Sequence, residues 1–154
     1  MSAQAPKLLD LILCDEVRRE DNGKLLIIGM YLGAILVPRV PFRMPRLSFF
    51  LKWKTNGSLP TGDFRLTNPS KETVGSFGIK TEREPETVAP VFYTTFALEN
   101  IQLTESGAYS LSYKPPGGKR FQSIFTFDVH LKGKATQEPF SIDEKRLRKT
   151  SADG

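Results

Sequence analysis

The sequence predicts an all-β domain built as two antiparallel sheets packed face to face, with about eight strands. Three observations predict it. Apolar residues recur with period two, which places alternate side chains on opposite faces of a strand, and no long stretch carries helical spacing. Half-apolar, half-polar strands of this kind belong in antiparallel sheets that share a core. The bulky residues are strand-compatible aromatics, eleven Phe and four Tyr.

The strand runs fall at 8–18, 24–32, 47–54, 63–67, 74–79, 91–98, 108–113 and 121–131. The last is the clearest: Phe121, Ser123, Phe125, Phe127, Val129 and Leu131 fall on one face, and Gln122, Thr126, Asp128, His130 and Lys132 on the other. Phe92, Phe96 and Leu98 alternate with Tyr93, Thr95 and Ala97, and Phe49, Leu51 and Trp53 with Ser48, Lys52 and Lys54. Turn chemistry separates the runs. Asn22 and Gly23 favour positive φ and close a tight hairpin, as a two-residue turn setting Asp21 against Lys24 or as a three-residue turn setting Glu20 against Lys24. The stretches 68–73 and 115–118 are turns, and 80–90 is a polar, proline-marked loop.

In "LTESGAYSL" (103–111), Glu105, Gly107 and Tyr109 have the spacing that leads into strand F of immunoglobulin-type sandwiches, where the tyrosine hydroxyl ties back to nearby backbone. The fold is therefore read as an immunoglobulin-like, Greek-key sandwich, although an ordinary glycine turn carries the same spacing. The opening "CDEVRRE", then "NGK", an apolar strand with Gly29, a proline-rich stretch and the "GAY" strand together resemble a family of short, uncharacterised bacterial proteins. The resemblance implies one sandwich domain in a bacterial cytoplasm and supplies no activity and no site residues. The domain is expected to span 1–138. The segment 139–154 is expected to be a basic polar tail, with Ser141 and Glu144 placed as a capping box before a short, marginal helix.

Hydrophobic residues make up 39% and charged residues 25% of the chain, as in ordinary soluble domains. The single cysteine, Cys14, excludes an intramolecular disulfide and a cysteine-built zinc site, which fits a reducing compartment. The apolar run near the N-terminus is broken by Asp10 and has only Lys7 ahead of it, a poor signal peptide, so a cytoplasmic location is expected.

Candidate chemistry is sparse. Asp128 and His130 share a strand face but lack a nucleophile and an orienting group, and His130 is the only histidine. Asp10, Asp15 and Glu16 form no dense calcium motif with the scattered acids Asp63, Glu82, Glu84 and Glu86. No cofactor, metal or catalytic residue is assigned. From 22 to 62 there are six basic residues and no acidic one, concentrated in "PRVPFRMPR" (38–46). Pro38, Pro41 and Pro45 disfavour a central strand, so this segment is expected to run extended at an edge, where prolines and charges also block unwanted strand pairing.

The expected function is a non-catalytic interaction module that holds another protein or a second copy of itself. The run "KLLIIGMYL" (24–32) leaves neither of its faces polar, so one face serves the core and the other needs a cover. The candidate partner-binding residues are Leu25, Ile27, Met30, Tyr31, Arg39, Phe42, Arg43 and Arg46. The structural residues are Asn22, Gly23, Gly107 and Tyr109. Polyanion or nucleic-acid binding through 39–54 is the alternative, using Arg39, Arg43, Arg46, Lys52 and Lys54, without the motifs of common RNA or DNA readers. An enzyme using Asp15, Glu16 and Arg18 ranks last, because neighbouring strand residues point to opposite faces.

Overall fold

The computed structural model describes residues 5–80 and 87–133. The expected tail and its marginal helix lie outside the described residues, as does part of the 80–90 loop. Among the described residues there is no helix; the chain forms nine strands. These are β1 (Lys7–Arg19), β2 (Leu25–Met30), β3 (Ala34–Val37), β4 (Phe42–Lys54), β5 (Gly62–Thr67), β6 (Thr73–Ile79), β7 (Val91–Leu103), β8 (Gly107–Lys114) and β9 (Gln122–Leu131). One sheet has the order β2-β1-β4-β7 and the other β3-β9-β8-β5-β6.

All eight predicted runs are strands, and the ninth is β3. It pairs in parallel with β9, Ile35 opposite Val129, so the five-stranded sheet is mixed and the expectation of purely antiparallel sheets is corrected. A parallel pair needs a crossover connection, and here the chain between the two strands supplies all the intervening elements. β4 begins at Phe42, earlier than the expected start at 47, and lies between β1 and β7. Pro45 is tolerated because β1 reaches only as far as Ser48; residues 42–47 pair with β7 alone and are locally an edge. The Val40–Pro41 peptide just before β4 is cis.

The two sheets share one core. Trp53 of β4 meets Phe64 of β5 edge-on with ring centroids 6.2 Å apart, and Tyr113 of β8 at 5.5 Å. Phe49 stacks on Phe96 at 4.7 Å within the four-stranded sheet, and Phe64 stacks on Phe77 at 4.7 Å within the other. Leu47, Leu51, Leu66, Leu103, Leu111 and Val129 complete it, all fully buried. Burial of polar tips is compensated: the Trp53 Nε1–H donates to Thr94 Oγ1 at 2.8 Å, and the Tyr113 hydroxyl to the Thr61 carbonyl at 2.6 Å. Burial also raises the Tyr113 pKa. In β9 the face pattern departs from strict alternation. A bulge between Leu111 and Ser112 shifts the register, so Ser123 sits opposite Ser112 on the outer face while Phe125 sits opposite Leu111 on the core face.

The tyrosine corner exists as a local device. Tyr109 is fully buried, and its hydroxyl donates to the Glu105 carbonyl at 2.8 Å and accepts from the Glu105 N–H at 3.3 Å. Gly107 holds φ +127 with Pro69 so close that an added Cβ would lie 3.0 Å from its Cγ, which accounts for the glycine. Glu105 also accepts from the Ser70 N–H at 2.8 Å, tying this turn to the one between β5 and β6.

Candidate interaction surface

β1 is shared between two partners. Its first half, Lys7 to Cys14, pairs with β4, and its second half, from Cys14 to Arg19, pairs with β2. Since β4 turns to β7 alone over 42–47, the sheet forks at Cys14, and β1 and β2 project from it as a two-stranded arm. At the fork the Ser48 hydroxyl donates to the Asp15 carbonyl at 2.9 Å, and Cys14 and Ser48 are both buried. Burial, followed by the Asp15 charge, raises the pKa of the Cys14 thiol.

The tip of the arm resolves the hairpin register. Gly23 N–H donates to the Glu20 carbonyl and Glu20 N–H to the Lys24 carbonyl, both at 2.9 Å, and Gly23 has φ +84. This is the three-residue turn, which sets Arg18 opposite Leu26, Val17 opposite Ile27 and Glu16 opposite Ile28. Asn22 contributes its Oδ1 as acceptor for the Lys24 N–H at 3.0 Å.

β2 is the outermost strand of its sheet, and its apolar side chains are largely uncovered. Leu26 (45% exposed), Ile28 (36%) and Met30 (52%) share the outer face, while Leu25 and half-buried Ile27 lie on the inner one. Leu32, just beyond the strand, is 82% exposed. Edge strands are normally blunted by charge, proline or a cover. From 25 to 32 this one has neither charge nor proline.

The base of the arm carries a polar cluster that sequence reasoning missed. Asp15 lies over Gly29, which has φ +66 and where an added Cβ would fall 2.7 Å from the Asp15 Cγ. The Tyr31 hydroxyl donates a short hydrogen bond to the same carboxylate, and Tyr31 packs its ring against the core. Burial first, then Asp15, push the Tyr31 pKa well above the ordinary tyrosine value. The signal was the mid-strand glycine, which marks a close approach once the three-residue turn sets residue 15 opposite residue 29. Asp15 and Tyr31 border an open cleft of about 380 Å³ with Ile35, Val37, Phe42 and Arg46.

The remaining candidates are spread out. Phe42 is half-buried and packs against the core; Arg39 is exposed in the loop before β4. Arg43 is exposed opposite Gln102, and Arg46 lies 3.7 Å from Glu99. Lys52 has Asp10 as its cross-strand neighbour and Lys54 has Lys7. Apart from Arg39, the basic residues are thus strung along one long strand, two of them beside carboxylates. Glu16 pairs with Arg18 at 2.9 Å, and this hydrogen bond lowers the Glu16 pKa. Asp15 and Glu16 sit on opposite faces of the arm. Among the described residues no three His, Cys, Asp or Glu side chains are grouped to hold a metal ion, and no helix is long and apolar enough to cross a membrane.

No curated protein matches the chain. A family model described as a family of unknown function (DUF6941) matches residues 9–114, from β1 through β8 and including the whole arm, and the chain belongs to that family.

Proposed function

We propose that the protein is a non-catalytic interaction module, an immunoglobulin-like sandwich of the cytoplasm that uses its projecting arm to hold another polypeptide. The observation that carries this reading is β2: an outermost strand with Leu26, Ile28 and Met30 uncovered on one face and no charge to discourage pairing. An exposed strand edge offers a row of backbone N–H and C=O groups whose hydrogen bonds give an incoming chain its affinity, and the flanking side chains give specificity. The tyrosine corner and the sharing of one core by two sheets support the immunoglobulin-like description.

The test compares the full chain with its Leu26→Lys/Ile28→Lys variant. Both side chains lie on the outer face, so the variant is expected to keep the far-ultraviolet circular dichroism of the parent. Each is used to capture proteins from the native host's extract and is sized by light scattering. The parent is expected to self-associate or to retain specific proteins that the variant loses. Identical retention and identical mass for the two would overturn the reading.

A further inference from the structure

The outer face of the five-stranded sheet carries a charged cluster that takes no part in the arm. Opposed residues of neighbouring strands share a face, so Arg65 of β5 stands between Ser76 of β6 and Ser112 of β8, and Asp63 between Gly78 and Lys114. The Arg65 guanidinium carbon lies 4.3 Å from the centre of the Phe121 ring, and the Lys114 Nζ 5.0 Å from it. Lys114 also reaches Asp63 at 3.5 Å, whereas among the described residues no carboxylate lies within ion-pair distance of Arg65.

The Arg65 Nε is sealed from solvent without an acceptor, and the terminal nitrogens are not sealed in this way. A buried donor left unpaired costs stability, and such a group points to a role outside packing. The stack on Phe121 holds the guanidinium in place despite that cost. Beside it the surface is hollow: an open cleft of about 400 Å³, in the size range of small-molecule sites, is bordered by Arg65, Phe121, Thr73, Ser76 and Gly78. Thr73 and Ser76 are exposed along β6, the outermost strand. Gly78 keeps the place beside Asp63 clear, since an added Cβ would stand 3.3 Å from the Asp63 Oδ1.

We propose that this cleft binds a small molecule through a carboxylate group, with Arg65 as the residue that holds it. Charge selects an anion of single charge. Arg65 and Lys114 stand against Asp63 alone, so the cluster carries an excess of one positive charge, which a carboxylate neutralises and a doubly charged phosphate exceeds. Geometry selects a planar one. With Nε closed off, the two terminal nitrogens of Arg65 form an end-on fork that matches the two oxygens of a carboxylate. Ser76, on the neighbouring strand, brings a hydroxyl donor, and Lys114 adds charge without a fork. The stacked guanidinium is fixed before the ligand arrives, so little freedom is lost on binding.

The full chain, labelled with nitrogen-15, is titrated at neutral pH with sodium acetate and, at matched ionic strength, with sodium chloride and sodium phosphate, while its amide resonances are followed. Acetate is the smallest probe, so a Kd on the order of 10 mM is expected, with saturable shifts centred on Arg65, Ser76 and Gly78. Arg65→Lys keeps the charge but loses the fork and the stack, and is expected to weaken acetate binding at least tenfold. Ser76→Asp, at an exposed position that leaves the packing alone, sets a carboxylate beside Arg65 and is expected to do the same. Arg46→Gln, on the other sheet, is expected to bind as the parent does. No saturable shift by about 100 mM acetate, equal shifts with chloride, or parent-like binding by both Arg65→Lys and Ser76→Asp would overturn the site. Phosphate saturating the same amides at lower concentration than acetate would overturn the carboxylate assignment.

Discussion

Replacing Gly29 by alanine tests the arm's base most directly. The backbone there holds φ +66, and a side chain in the left-handed region costs about 1–2 kcal/mol. The new methyl would stand 2.7 Å from the Asp15 Cγ and 3.0 Å from its Cβ, so the Asp15 side chain must swing away. That breaks the bond from the Tyr31 hydroxyl. Hydrogen bonds to charged groups contribute about 1.5–3 kcal/mol, and the exposure of Asp15 reduces this to about 1 kcal/mol. Gly29→Ala is therefore expected to destabilise by about 2–3 kcal/mol. Urea unfolding followed by the fluorescence of Trp53, the single tryptophan, measures it. The double variant Asp15→Ala/Gly29→Ala separates the two causes, because the carboxylate that the methyl displaces is then already gone. The second substitution is expected to add only the backbone strain, about 1–2 kcal/mol, to the first. Fully additive effects, or a Gly29→Ala cost below about 1 kcal/mol, would refute the assignment of this glycine to the Asp15 contact.

Tyr109→Phe leaves the part-buried Glu105 carbonyl without its donor and is expected to cost about 1–2 kcal/mol in the same urea assay, with no change in fold by circular dichroism. The raised Tyr31 pKa gives a pH dependence of definite sign: above the ordinary tyrosine pKa of about 10 the unfolded chain loses the proton and the folded one keeps it. The stabilising contribution is complete below pH ~10 and declines as pH rises toward the folded value, so unfolding free energy is expected to fall more steeply between pH ~9.5 and ~11 in the parent than in Tyr31→Phe. Cys14, buried and with a raised pKa, is expected to resist Ellman's reagent in the native protein and to titrate as one thiol in urea; rapid native reaction would contradict its burial.

Period-two patterning located most of the eight strands because those have a wet and a dry face, and that signal is local. β3 escaped it. "AILV" is too short to alternate, and its place beside β9 is decided by a residue pairing, Ile35 with Val129, that leaves no trace near either one. The prolines of 38–46 read as marks of an edge, and residues 42–47 do pair on one side only, but the pattern did not show that they continue the strand at 47–54. β7 runs on to Leu103, beyond the predicted end at 98, where positive φ at Asn100 resets which residues face inward. The arm was legible as an apolar run with neither face polar, one face for the core and one in need of a cover. Which face holds which residue was not, because Asn22 and Gly23 suit turns of two and of three residues, and a single residue of register exchanges the partners of every side chain beyond them.

The parallel pairing of β3 with β9 also sets a timetable for folding. β3 has no edge to join until β9 has been made and has docked on β8; Ala34 waits for Asp128, far along the chain. Contacts so distant in sequence are slow to form, which puts this topology toward the millisecond-to-second end of small-domain folding. During synthesis β3 emerges early, apolar and without its final neighbour, and waits for the C-terminal strands, whereas β2 follows the β1 it pairs with. The newborn chain therefore exposes Ile35 and Val37, which the finished protein buries, beside the residues it leaves uncovered.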